Sequence, residues 1–237
     1  MGSITPDFFV LGFIWYVVFL FSTTCHESAH ALAAKIGGDP TAFHGGQVTL
    51  NPLPHIRREP FGMVVVPIVS YIFAHWMIGW ASAPYDPYWQ QRHPRRAAWM
   101  ALAGPAANLT LMLLAAAGIR IGIAMGVFHA PDSAGFTHVT EPMASGGAAF
   151  AATALSILFV LNLLLGTFNL LPVPPLDGNN GVTLLMSEQA GLRFIDWTRN
   201  SGFGMLGMIL AWLVYDRIFP YIFRAALGVL YPGSSWG

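Results

Sequence analysis

Long apolar blocks alternate with more polar connections along this chain. Four blocks, at residues 8–35, 97–120, 150–171 and 202–221, reach the roughly 20 residues that a helix needs to cross a hydrocarbon core about 30 Å thick. They predict an all-α polytopic membrane protein with about four full transmembrane helices. A fifth apolar block, residues 61–81, contains Pro67 and is preceded by Arg57 and Arg58 and followed by Arg92, Arg95 and Arg96. Under the positive-inside rule both flanks read as cytoplasmic, so this block is expected to re-enter or lie along the membrane, bending near Pro67. The connection at 128–150 holds Asp132 and Glu141 but no lysine or arginine, as an external segment should. Arg120 is the dissenting charge, placed to snorkel to the outer interface. Between the first two blocks, Gly37, Gly38, Gly45 and Gly46 precede the β-prone stretch QVTL at 47–50. This region reads as turns with a short β element near the active site, an edge able to pair with an unwound peptide.

Composition agrees with the pattern. The 237 residues are 55% hydrophobic and 9% charged, whereas soluble domains are about a quarter charged. The formal net charge is zero and no long basic run exists, so nothing points to nucleic-acid binding. A single cysteine, Cys25, excludes an internal disulfide and reads as a small residue inside a helix. No basic residue precedes the first block and no small-residue cleavage pattern interrupts it, so it reads as a retained helix rather than a cleavable signal. With no internal repeat, low-complexity tract or long polar segment, residues 1–237 read as one membrane domain.

Against this apolar background the segment FLFSTTCHESAHALAAKIGG, residues 19–38, carries His26, Glu27 and His30. The spacing is H-E-x-x-H, which puts two imidazoles on one helix face, where they can share a zinc ion, with a glutamate about 100° around the helix. A carboxylate near bilayer depth costs about 2.5 to 3.5 kcal/mol on insertion scales, so such residues face a protein interior and mark function. The neighbours Ser28, Ala29, Ala31, Ala33 and Ala34 are small and let other helices approach closely. A catalytic zinc site uses about three protein ligands and keeps one position for water, so a further ligand is required. The candidate is Asp177 in GTFNLLPVPPLDGNNG, residues 166–181, where Pro172, Pro174 and Pro175 prevent ordinary helix. Irregular backbone at membrane depth is tolerated only where protein or a water-filled cavity surrounds it.

Together these motifs resemble the site-2 protease family of intramembrane metalloproteases. Asn169, Pro172, Pro174, Leu176, Asp177 and Gly178 match its N-x-x-P-x-P-x-L-D-G pattern, and ALAGPAANL at 101–109 is similar to its G-P-x-x-N element. VTLNPLPHI at 48–56 and GWASAP at 79–84 resemble the short-form branch, which has no appended domains. The resemblance implies one Zn²⁺ per chain held by His26, His30 and Asp177, with Glu27 as general base. It also implies that Asn169 holds the substrate backbone or helps to stabilise the oxyanion, with Asn108 a weaker candidate that serves equally well as interhelical glue. The substrates would be transmembrane segments of other proteins, and the protein itself would lie in a bacterial cell membrane with its active site toward the cytoplasm. Two positions depart from the pattern: Asn179 and Asn180 stand where the family commonly has Gly-Arg, and Arg57 replaces an acidic residue.

The remaining histidines, His44, His55, His75, His93, His129 and His138, are scattered and read as structural, interfacial or solvent-facing; His55 lies within a family-like element. Glu27 and Asp177 would also suit a proton or ion pathway, but no duplicated halves are visible. A di-iron oxygenase would need more clustered histidines. A catalytically inactive relative that binds membrane proteins is disfavoured by the retention of Glu27 beside all three ligands.

Overall fold

The computed structural model describes residues 5–234 and 236. Four long helices account for the predicted crossings: α1 (Pro6–Gly37), α6 (Pro94–Ala124), α7 (Gly147–Asn169) and α10 (Phe203–Leu230). Each contains a stretch long and apolar enough to cross a membrane. α1 and α6 begin at a proline, whose missing N–H costs nothing in a first helical turn. Both end on a glycine with positive φ, Gly38 at 97° and Gly126 at 71°. In each case the next N–H reaches back five residues, from Asp39 to the Ala34 carbonyl at 2.8 Å and from Val127 to that of Gly122 at 2.8 Å. α10 outruns the expected 202–221 span. Pro220 lies inside it, and the helix continues to Leu230.

The chain divides into two compact units. The first comprises residues up to Thr24, Leu50–Ser82 and Leu111–Asn162. In it a short helix α3 (Leu53–Arg58) leads to a π-helical turn (Phe61–Val65) and then α4 (Val66–Ala74). The apolar helix Phe61–Ala74 is too short to span a bilayer. The chain reverses at His75, which takes left-handed φ 59°, and by Trp80 its N–H donates to the Gly62 carbonyl at 3.1 Å. Ser82 Oγ donates to Glu59 Oε1 at 2.6 Å, which brings the two flanks of the segment together. The segment therefore doubles back on itself, and its helix is too short to cross as one span. Its reversal is at His75, not at Pro67: Pro67 sits in the first turn of α4, where a missing N–H is tolerated. The hairpin packs closely on the start of α1. Tyr71 donates to the Phe8 carbonyl at 2.7 Å, and a Cβ on Gly12 would lie 2.6 Å from the Tyr71 ring. Asn162 of α7 donates to Ser22 Oγ of α1 at 2.8 Å, both buried, a polar contact of the kind that joins membrane helices.

The β element forms at a different place from the one expected. It is a two-residue antiparallel pair, β1 (Phe128–His129) with β2 (Glu141–Pro142), in the 128–150 connection of this first unit. Residues 47–50 form no strand, and 48–50 are bends. A short helix α2 (Thr41–His44) closes through Gly46 at φ 71°, the Gln47 N–H is taken by the Ala42 carbonyl at 2.9 Å, and the Thr49 carbonyl is taken by the Ser28 hydroxyl. Among the described residues, the second unit contains no strand for QVTL to pair with.

That second unit comprises Cys25–Thr49, Ala83–Thr110 and the chain from Leu163 onward. It holds the last part of α1, a short helix α5 (Pro87–Arg92), the first part of α6, the end of α7, and α8 (Asp177–Gly181), a 3-10 turn (Val182–Leu185), α9 (Glu188–Asn200) and α10. Asp39 joins its segments: its carboxylate accepts from the Thr41 N–H and hydroxyl and, at 2.8 Å, from the Asp86 N–H. Burial alone would push its carboxyl up, but these donors outweigh burial and hold it below the usual range.

The re-entrant reading makes a topological prediction. With Cys25 replaced by serine, single cysteines at Arg57 and Ala81 should react with a membrane-impermeant maleimide from the same side of sealed vesicles. Labelling from opposite sides would show that residues 61–81 cross.

Candidate metal centre

α1 presents His26 and His30 one turn apart, and their rings meet edge to face with Nε2 atoms 3.0 Å apart. Asp177 arrives from the other end of the unit's sequence. After α7, the N–H groups of Val173 and Leu176 close turns onto Leu171 and Val173 through the proline-rich stretch, and α8 then begins at Asp177. Gly178 is required here, because a Cβ would lie 2.2 Å from the Leu170 carbonyl oxygen. The Asp177 carboxylate lies across both imidazoles, Oδ2 3.1 Å from His26 Nε2 and Oδ1 3.3 Å from His30 Nε2. The three side chains could hold a metal ion, with one potential ligand atom from each within 4.8 Å of the others.

The outer nitrogens settle what this cluster wants. His26 Nδ1 faces Asn108 Oδ1 at 2.5 Å, and His30 Nδ1 faces the Met100 carbonyl at 2.8 Å. Both partners are acceptors, which favours a proton on each Nδ1; in the neutral rings the Nε2 lone pairs then face inward. Two lone pairs and a carboxylate converging in a buried place repel one another unless a metal ion or a proton on Nε2 lies between them. Two imidazoles and one carboxylate also match the donor set of catalytic zinc sites, which leave a position for water.

α6 supplies the space. A Cβ built on Gly104 would fall 2.3 Å from His30 Nε2 and 2.5 Å from His26 Nε2, within the volume the three ligands enclose. The next residue, Pro105, has no N–H to offer the Ala101 carbonyl one turn back. In this turn of α6 the Met100 carbonyl receives the His30 proton. Sequence reasoning singled out this G-P-x-x-N stretch and weighed Asn108 as interhelical glue. It gave Gly104, the first residue of that element, no role, because a helical glycine shows no chemistry until its neighbour is known.

Glu27 is 5% exposed, and its Oε2 is buried with no hydrogen-bond partner among the described residues. An orphaned buried carboxylate oxygen is costly and calls for a function. Asn169 lies in the last turn of α7, outside the three-residue cluster, and its amide nitrogen donates to the Leu165 carbonyl at 3.0 Å. One of its two amide hydrogens is used in this way.

Replacing Gly104 with alanine should remove bound metal from the purified protein while leaving its helix content unchanged. Asn108→Leu frees the His26 ring to turn and should weaken Zn²⁺ binding by about 10- to 100-fold, measured by chelator competition.

The sequence profile of peptidase family M50 matches residues 14–212. YwhC of Bacillus subtilis (strain 168), named as a candidate zinc metalloprotease, is 33% identical over 163 residues, covering 68% of this chain and 64% of YwhC. Rip2 of Mycolicibacterium smegmatis, also named as a candidate zinc metalloprotease, is 34% identical over 180 residues, covering 74% of this chain and 59% of Rip2. The matched stretch thus spans less than two thirds of either relative's length. No solved structure matches the chain. The helices, the ordered motifs they carry and the profile match lead to one statement: this chain belongs to peptidase family M50, the site-2 protease family.

Proposed function

We propose that this protein is an intramembrane zinc metalloprotease that hydrolyses peptide bonds in or near transmembrane segments of other membrane proteins. The observation that carries the reading is the convergence of His26 Nε2, His30 Nε2 and the Asp177 carboxylate, with both outer nitrogens already bonded, in a unit that also buries an unpartnered Glu27 oxygen. His26, His30 and Asp177 would hold one Zn²⁺ per chain. When bound, zinc lowers the pKa of a water toward 7 and polarises a carbonyl oxygen.

The residues do the rest. Asn108 and the Met100 carbonyl keep the imidazoles in the tautomer that binds metal. Glu27, free of other partners on Oε2, accepts a proton from the attacking water and returns it to the leaving amine. Asn169, with one amide hydrogen still to give, is proposed to hold the substrate backbone or the developing oxyanion.

A peptide carbonyl within a transmembrane helix is occupied by its own i+4 N–H, so cleavage requires local unwinding, eased by helix-weakening residues in the substrate. The site is proposed to face the cytoplasmic side of a bacterial cell membrane. The arginines at 57, 58, 92, 95 and 96 flank the re-entrant segment, and both relatives are bacterial.

The test is Glu27→Gln, assayed in detergent on a panel of transmembrane peptides. Wild type should cleave, and the variant should keep stoichiometric metal while cleavage falls by about 10²- to 10⁴-fold. Equal cleavage by both would remove Glu27 from the chemistry. Metal without cleavage by wild type would leave a binding role only.

A further inference from the structure

The two ligand-bearing segments are far apart in sequence, and the Asp177 segment has little regular structure of its own. α8 is five residues long and follows a proline-rich stretch, so something outside it must fix its distance from α1. α5 lies between them in sequence and bonds to both. Its start is capped by Asp86, whose Oδ1 accepts from the Tyr88 N–H at 2.8 Å, and Pro87 opens the helix.

Toward α1, Trp89 Nε1 donates to the Gly37 carbonyl at 3.1 Å, and the Asp86 N–H donates to Asp39 at 2.8 Å. A Cβ on Gly37 would lie 2.8 Å from the Trp89 ring, so this contact needs a glycine. Trp89 also packs with Ala34, Ala97 and Met100, the residue whose carbonyl orients His30.

Toward α8, the next residue takes over. Gln90 is 2% exposed, its Nε2 donates to Asn180 Oδ1 at 3.3 Å, and its Oε1 accepts from Arg199 Nη2 of α9 at 2.9 Å. The neighbouring Asn179, also buried, donates through Nδ2 to Thr198 Oγ1 at 3.2 Å. These two asparagines are the positions at which the chain departs from the common Gly-Arg, and both side chains are engaged. A buried amide that donates on one side and accepts on the other is costly to leave unpaired, so it resists a change in the spacing of its partners.

We propose that α5 is a brace that sets the separation of the histidine pair from Asp177, with Gln90 and Asn180 as positioning residues for the Asp177 carboxylate. This rests on the reading of His26, His30 and Asp177 as a metal site. Gln90 and Asn180 touch neither metal nor substrate, and their effect passes through α8.

The experiment uses the full chain in detergent and Zn²⁺ itself, with affinity read by competition against a chromophoric chelator and geometry read from the visible bands of the Co²⁺ form. Gln90→Met and Asn180→Leu should each weaken Zn²⁺ by about tenfold or more and alter the Co²⁺ bands. Asn180→Asp keeps the acceptor that Gln90 meets and should stay close to wild-type affinity. Melting of the metal-free protein should drop by no more than about 4 °C in the Asn180 variants, where a single hydrogen bond is at stake, and by no more than about 8 °C in Gln90→Met, which removes two. Wild-type affinity and unchanged bands in both apolar variants would overturn the proposal, as would equal losses in Asn180→Asp and Asn180→Leu. Failure of both apolar variants to fold would also overturn it, by making the pair a core contact rather than a positioning one. Failure of wild type to bind Zn²⁺ is a separate result and would overturn the metal reading itself.

Discussion

Three acceptors pointing at one another dominate the second unit of this protein. Two imidazole lone pairs and a carboxylate, each about 3 Å from its neighbours, repel in a buried place where little water is present to screen them. The surrounding structure holds them there. Asn108 and the Met100 carbonyl engage the Nδ1 atoms and so fix Nε2 as the ring nitrogen that faces Asp177. Gly104 keeps the enclosed volume open, and Gly178 lets α8 approach the Leu170 backbone closely enough for Asp177 to arrive. None of these four contributions is itself a ligand. Each would be difficult to explain if the cluster were only a place where helices pack.

Where a backbone cannot be regular, the fold uses local partners. The re-entrant segment satisfies itself by folding its return strand onto its own start, with Trp80 bonded to Gly62 and Ser82 to Glu59. The proline-rich stretch before α8 closes successive turns on its own carbonyls. Both arrangements answer the requirement that peptide groups in an apolar surrounding find donors and acceptors within the protein.

Much of the architecture was legible because its signals were local and cumulative. Twenty apolar residues read the same way wherever they fold, and H-E-x-x-H and L-D-G announce their chemistry in side chains. The misplaced elements share another cause. QVTL has strand propensity, but a strand needs a partner, and the Ser28 hydroxyl together with the turn at Gly46 claimed its backbone instead. Pro67 looked like the bend, yet the reversal came at His75, a residue that seldom takes positive φ. Gly104, α5 and the Asn179–Asn180 pair were illegible for a third reason: their meaning lies wholly in what tertiary contact places beside them.

The central claim is that His26, His30 and Asp177 bind one metal ion. X-ray absorption at the zinc edge of the purified chain tests it most directly. The account predicts one zinc per chain with only nitrogen and oxygen neighbours at about 2.0 to 2.2 Å and the scattering signature of two imidazoles. A sulfur neighbour at about 2.3 Å, which would bring Cys25 into the site, or a chain purified without bound metal, would contradict it.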